Sequence, residues 1–183
     1  MVGGFYCTPS TNTGEMFCPI SRKWTSLPSM RLPRSGVKAV AINGLLYVVG
    51  GWDGRQRLSS GEVFNPEFWK WEELPYMRIA RSNYSAVATP QGMILVMGGY
   101  QGQDTTSNVE ILDMEEGKWM ELKGLPHKRS AMTSNVIPYR YLEKSTRDLM
   151  RAVMYEDDIE DLCEIEISDS DETTDSESDG SLD

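Results

Sequence analysis

Apolar residues between positions 37 and 122 fall in short runs bounded by turn residues, which predicts strands. Val37 to Ile42 (VKAVAI) is apolar and rich in β-branched residues. Asn43-Gly44 follows, a strong hairpin signal because both residue types tolerate positive φ. Leu45 to Val49 (LLYVV) is the return strand, ended by Gly50-Gly51. Trp52 to Leu58 reads as a polar loop, Gly61 to Phe64 as a third strand and Asn65-Pro66 as a turn. Trp69 to Leu74 (WKWEEL) alternates apolar and polar residues and makes a fourth strand. The same order returns as Tyr84 to Thr89, the turn Gln91-Gly92, Met93 to Met97, Gly98-Gly99, Val109 to Leu112 and Lys118 to Leu122.

This recurrence has a constant step. Trp24, Trp71 and Trp119 are spaced by 47 and 48 residues. The doublets Gly3-Gly4, Gly50-Gly51 and Gly98-Gly99 keep that step, as do Glu15, Glu62 and Glu110, and Arg34, Arg81 and Arg129. Four short antiparallel strands per repeat is the pattern of one propeller blade. The first repeat lacks its first two strands, and a fourth unit starts at Ser130 to Ile137 and then stops. The three tryptophans are expected to pack blade against blade, since a residue present in every unit usually serves the unit.

The order Arg, apolar strand, Asn-Gly, Tyr-containing strand, Gly-Gly, Glu-Val-Phe, Asn-Pro and Trp strand resembles the kelch repeat. The repeated Trp-x-x-Leu at Trp24, Trp71 and Trp119 belongs to the same resemblance. It departs at Leu95, Leu112 and Lys123, where the second repeat has Tyr47, Phe64 and Pro75. The resemblance implies an all-β fold of kelch-type β-propeller blades over residues 1–138, about three of them in an incomplete, open ring. It also implies a non-enzymatic protein-interaction module, like the substrate-recognition propeller of cullin-based ubiquitin-ligase adaptors. An actin-associated kelch scaffold is the alternative reading, and a kelch-type enzyme a third.

Charge separates a body from a tail. The chain carries a net −10, yet residues 1–138 are close to neutral at +2 and the rest carries −12. In residues 139–155, Leu142, Thr146, Leu149 and Val153 fall on one face of a predicted amphipathic helix. Residues 156–183 hold fourteen acids and no Lys or Arg, which predicts a disordered acidic tail. Within it, Ile165 and Ile167 stand beside acids in a pattern similar to segments that add a strand to SUMO. Ser168, Thr174 and Ser176 resemble acidophilic kinase sites. The acidic balance argues against nucleic acid as the main partner. No apolar run is long enough for a membrane helix, and Cys7, Cys18 and Cys163 have no motif spacing. These features predict a cytoplasmic protein, with the nucleus as the other intracellular site.

Catalysis finds little support. His127 is the only histidine, no CxxC pair exists, and the Gly-Gly doublets end strands rather than opening a phosphate-binding helix. No cofactor, metal or catalytic residue is expected.

Binding is expected from loops. In propellers the connection into each blade and the loop between its second and third strands emerge on one face. By position, the first loop type supplies Arg34-Ser35, Arg81-Ser82 and Arg129-Ser130. The second supplies Trp52, Asp53, Arg55 and Arg57, then Tyr100, Gln101 and Gln103. Arginine forks, hydroxyls and aromatic anchors on one face would favour an acidic or phosphorylated peptide. The alternative for Arg34, Arg81 and Arg129 is that they brace neighbouring blades through backbone carbonyls. Trp52, Arg55, Tyr100 and Gln101 differ between repeats and so carry the expectation of specificity.

The repeat count leaves a closed propeller unmade, because rings use about four to eight blades. Open ends would expose edge strands and apolar faces. The expectation is either self-association, including completion by another kelch chain, or a part of a longer kelch protein.

Overall fold

In the computed structural model, which describes residues 1–5 and 10–137, ten strands form three antiparallel sheets. Met1–Val136 makes one compact unit. The first sheet pairs β1 (Glu15–Cys18) with β2 (Lys23–Ser26), extended by a bridge between Val2 and Gly14. The second is a meander of β3 (Ala39–Ile42), β4 (Leu45–Val49), β5 (Gly61–Asn65) and β6 (Lys70–Leu74). The third repeats it with β7 (Ser85–Ala88), β8 (Ile94–Met97), β9 (Val109–Asp113) and β10 (Lys118–Leu122). Each sheet is a blade, and the described residues are all-β. The predicted helix over 139–155, the acidic tail, and Ile165 and Ile167 lie outside the described residues.

Local chemistry makes the turns. Asn43 and Gly44 both take positive φ, at 49° and 79°, which matches the right-handed twist of β3 and β4. The Asn65 side chain accepts hydrogen bonds from the amides of Glu67 and Phe68, and Asp113 does the same for Glu115 and Glu116. A short polar side chain can close such a turn on its own backbone. Segment 130–137, the start of a fourth unit by sequence, forms no strand. Among the described residues nothing follows it to complete a ladder.

A hydrophobic core lies between the second and third blades. Val40, Ile42, Tyr47 and Val49 of one sheet meet Tyr84, Ile94, Val96 and Leu112 of the next, with Leu74, Met77 and Trp119 closing the cluster. The tryptophans connect successive blades: Trp71 Nε1 donates to the Pro28 carbonyl at 2.8 Å, and Trp119 Nε1 to the Pro75 carbonyl at 2.9 Å. Trp119 is buried, whereas Trp24 in the first blade is 58% exposed and leans on Phe17, with ring centroids 5.2 Å apart. Its repeat position is the same; only the preceding blade is missing among the described residues.

The Gly-Gly doublets bring the loops close. A side chain on Gly50, whose φ is +62°, would sit 2.7 Å from the Arg81 carbonyl. Gly51 then donates its amide to that same carbonyl at 2.8 Å. Glycine both adopts the conformation and admits the neighbouring backbone.

Candidate functional site

The repeated arginines occupy the interior. Arg34 leaves the connection between β2 and β3 and spends all five donors inward. Its Nε and Nη2 reach Glu62 Oε1 at 3.2 and 3.1 Å, Nη1 reaches the carbonyls of Gly50 and Ser60 at 2.8 Å each, and Nη2 also reaches the Ser60 hydroxyl. Arg81 repeats this one blade later, with the Gly98 carbonyl at 3.1 Å, the Asn108 carbonyl at 2.9 Å, the Asn108 side chain, and Glu110. Glu110 completes its own shell by accepting the amides of Arg78 and Ile79. Arg34 and Arg81 are 1% and 0% exposed, and Ser35 and Ser82 are equally buried.

This corrects the expectation for four residues. Arg34, Ser35, Arg81 and Ser82 do not present side chains to a partner, because their polar groups are enclosed. A buried guanidinium needs every donor satisfied, and the blade interior supplies the acceptors. Arg129, at the same repeat position, is exposed, and among the described residues its only side-chain hydrogen bond is from Nε to the His127 carbonyl at 3.4 Å.

The second loop type does reach the surface, and the buried serines hold it there. Ser35 bridges to Trp52 and Ser82 to Tyr100 by paired backbone hydrogen bonds of 2.8 to 3.0 Å. Each loop closes on itself, Trp52 bridging to Arg57 and Tyr100 to Thr105. The Asp53 carboxylate ties the first loop by accepting the amides of Arg55 and Gln56 at 2.7 and 2.8 Å. Burial works against its charge, but those amides win and hold its carboxyl below the usual range. Arg55 and Gln101 are exposed, while Trp52 and Tyr100 are half-buried.

Between the two loops lies Arg57. Its guanidinium carbon is 4.2 Å from the Trp52 ring centroid and 4.6 Å from that of Tyr100. Two aromatic faces thus fix the orientation of one cation. Among the described residues Arg57 makes no ion pair, and its Nε is buried without a hydrogen-bond partner. Arg57 also lines a cleft of about 430 Å³ with Arg31, Leu58, Glu73, Tyr76 and Ala80. Arg57 was one of several loop residues in the sequence, with nothing to rank it first. Phe5, 67% exposed, was missed altogether, although it follows Gly3-Gly4 as Trp52 and Tyr100 follow their own doublets. An aromatic after each Gly-Gly is the signal that would have found it.

Among the described residues no group of three or more His, Cys, Asp or Glu side chains gathers as a metal site, and no helix is long and apolar enough to cross a membrane.

The kelch motif matches residues 33–78 and 81–126, which are the second and third blades with the connections that enter them. The chain belongs to the kelch-repeat family. A zebrafish (Danio rerio) protein, Kelch-like ECH-associated protein 1B, is 46% identical over 50 residues. That stretch is 27% of this chain and 8% of the relative. The buried Arg34–Glu62 and Arg81–Glu110 pairs are thus internal ties of kelch blades. The half-buried Trp52, Arg57 and Tyr100 belong to kelch loops, and the repeats make the chain a protein-interaction module.

Proposed function

We propose that this chain is a non-enzymatic binding module that grips an acidic or phosphorylated peptide segment on the face formed by Trp52, Arg55, Arg57, Tyr100 and Gln101. The observation that carries this reading is the stacked Arg57. A cation held between two rings, with an unpaired buried Nε, has lost conformational freedom but not found a carboxylate. An arriving carboxylate or phosphate meets a fork already oriented, which reduces the ordering cost of binding. Trp52 and Tyr100 supply flat apolar area around it, as anchor residues do.

In the cell this face serves as the substrate-recognition part of a cullin-based ubiquitin-ligase adaptor, in the cytoplasm. The local likeness to a kelch-like protein supports that assignment over an actin scaffold. The chain spans a small fraction of that relative, so the assignment rests on the loop face and the shared repeats. Selection from a random peptide display library tests the binding reading. Enrichment of Asp- or Glu-rich sequences by the wild-type chain, lost with Arg57→Ala, is expected. Enrichment of basic or purely apolar sequences, or retention of acidic ones by Arg57→Ala, would reject it.

A further inference from the structure

The contacts that join one blade to the next follow one pattern at both described junctions. Arg34 and Arg81 each hold their backbone on the preceding blade. The Arg34 amide donates to Thr11 and its carbonyl accepts from Gly4; the Arg81 amide donates to Leu58 and its carbonyl accepts from Gly51. Each side chain then crosses into the following blade, to Glu62 on β5 or Glu110 on β9. In return, the tryptophan of the following blade donates to a proline carbonyl on the connection, Pro28 or Pro75.

Arg129 has the first half of this arrangement. Its amide donates to Thr106 at 3.2 Å and its carbonyl accepts from Gly99 at 2.8 Å. Its Nε reaches the carbonyl two residues back at 3.4 Å, as Arg81 Nε reaches Ile79 at 3.4 Å. The backbone therefore places Arg129 as a brace, yet the side chain is exposed and has no carboxylate among the described residues. The first blade shows the complementary half. Glu15, the repeat equivalent of Glu62 and Glu110, is exposed on β1, and Trp24 is exposed on the paired strand β2. Around them Met16, Phe17 and Ile20 are 44%, 46% and 94% exposed.

We propose that a second copy of this chain docks head to tail, its first blade on the 123–129 connection of the first. Arg129 then pairs with Glu15 of the copy, and the copy's Trp24 indole donates to the Lys123 carbonyl, the position equivalent to Pro28 and Pro75. Both contacts join the same two elements, as at the existing junctions. One contact is missing from the set, because Pro126 has no amide where Arg31 and Arg78 donate to their glutamates; His127 retains the second donor. A heterologous contact of this kind closes into a ring when the rotation permits. Two copies bring about six blades, within the roughly four to eight of closed propellers.

Sedimentation velocity of the full chain over a concentration series tests this, with Glu15→Arg and Arg129→Glu as variants. Both positions are exposed, so neither change disturbs a folded blade. The wild type is expected to dimerise, and each variant alone to associate at least about tenfold more weakly, since like charges then face each other. Mixing the two variants in equal amounts restores dimers, because one junction carries the reversed pair and the other the native pair. A wild type that stays monomeric, variants that associate as it does, or a mixture that fails to recover would each overturn the proposal.

Discussion

Arg81, in the connection after β6, and Glu110, near the start of β9, form an ion pair in which both side chains are 0% exposed. Every remaining donor and acceptor of the pair is used by backbone or by Asn108. The pair fixes one blade to the loop that enters it. Breaking it from one side leaves a buried charge without compensation. Arg81→Met is expected to destabilise the chain by about 3–5 kcal/mol. The double change Arg81→Met, Glu110→Leu should recover a large part of that loss. Urea unfolding midpoints for the three variants check this; equal losses for single and double changes would show that the charge pairing is not the cause.

The three repeat tryptophans are expected to differ sharply. Trp119 is 8% exposed, packs in the core between blades and donates to Pro75. Trp119→Ala should cost about 3–5 kcal/mol through the lost burial and the cavity. Trp24→Ala, measured at low protein concentration, should fall within about 0.5 kcal/mol of wild type because the ring is mostly in water. Thermal or urea unfolding of both variants gives the comparison.

Alkaline pH should weaken the fold through Tyr84. Its hydroxyl donates to the Val49 carbonyl and accepts the Lys38 amide at 3.2 Å. Burial pushes its ionisation from 10.0 up to about 12. The folded value is the higher one, so the stabilisation is complete below pH 10 and is lost as pH rises toward 12. Tyr84→Phe should lower stability at neutral pH by about 1–3 kcal/mol, by leaving the buried Val49 carbonyl and the part-buried Lys38 amide without this partner. It should also flatten the decline above pH 10. Unfolding curves at neutral and alkaline pH separate the two effects.

The blades were legible because their causes are local. Strand alternation, Asn43-Gly44 and the Gly-Gly doublets act within a few residues, and the observed strands fall within two residues of the expected ones at nearly every boundary. The direction of a repeated side chain is a different matter. Arg34 and Arg81 sit in loops, where an arginine usually faces water, and their burial follows from Glu62 and Glu110 far along the chain. The cue was present, since the glutamates recur with the same step as the arginines. Trp24 shows the converse limit: its sequence signal equals that of Trp119, but burial depends on a neighbouring blade. Arg57 escaped ranking because its value comes from two rings in different repeats, which only the packing of Trp52 beside Tyr100 brings together.

Substitutions on the loop face should affect recognition more than stability. Tyr100→Ala removes one of the rings holding Arg57, and Arg57→Lys keeps the charge but loses the planar fork. Each is expected to weaken binding of a selected acidic peptide by about 1–2 kcal/mol, in the range of an anchor residue. Calorimetric titration of the peptide into each variant reads this directly.

Arg34 and Arg81 hold the blades together, while Arg57 is proposed to meet the partner, a division of labour. It is tested most directly by measuring peptide affinity and unfolding free energy together for Arg57→Ala and Arg81→Met. Arg57→Ala should bind at least about tenfold more weakly while losing no more than about 1–2 kcal/mol of stability, and Arg81→Met should lose about 3–5 kcal/mol while its folded fraction binds normally. Normal peptide affinity in Arg57→Ala, or lost affinity in folded Arg81→Met, would contradict it.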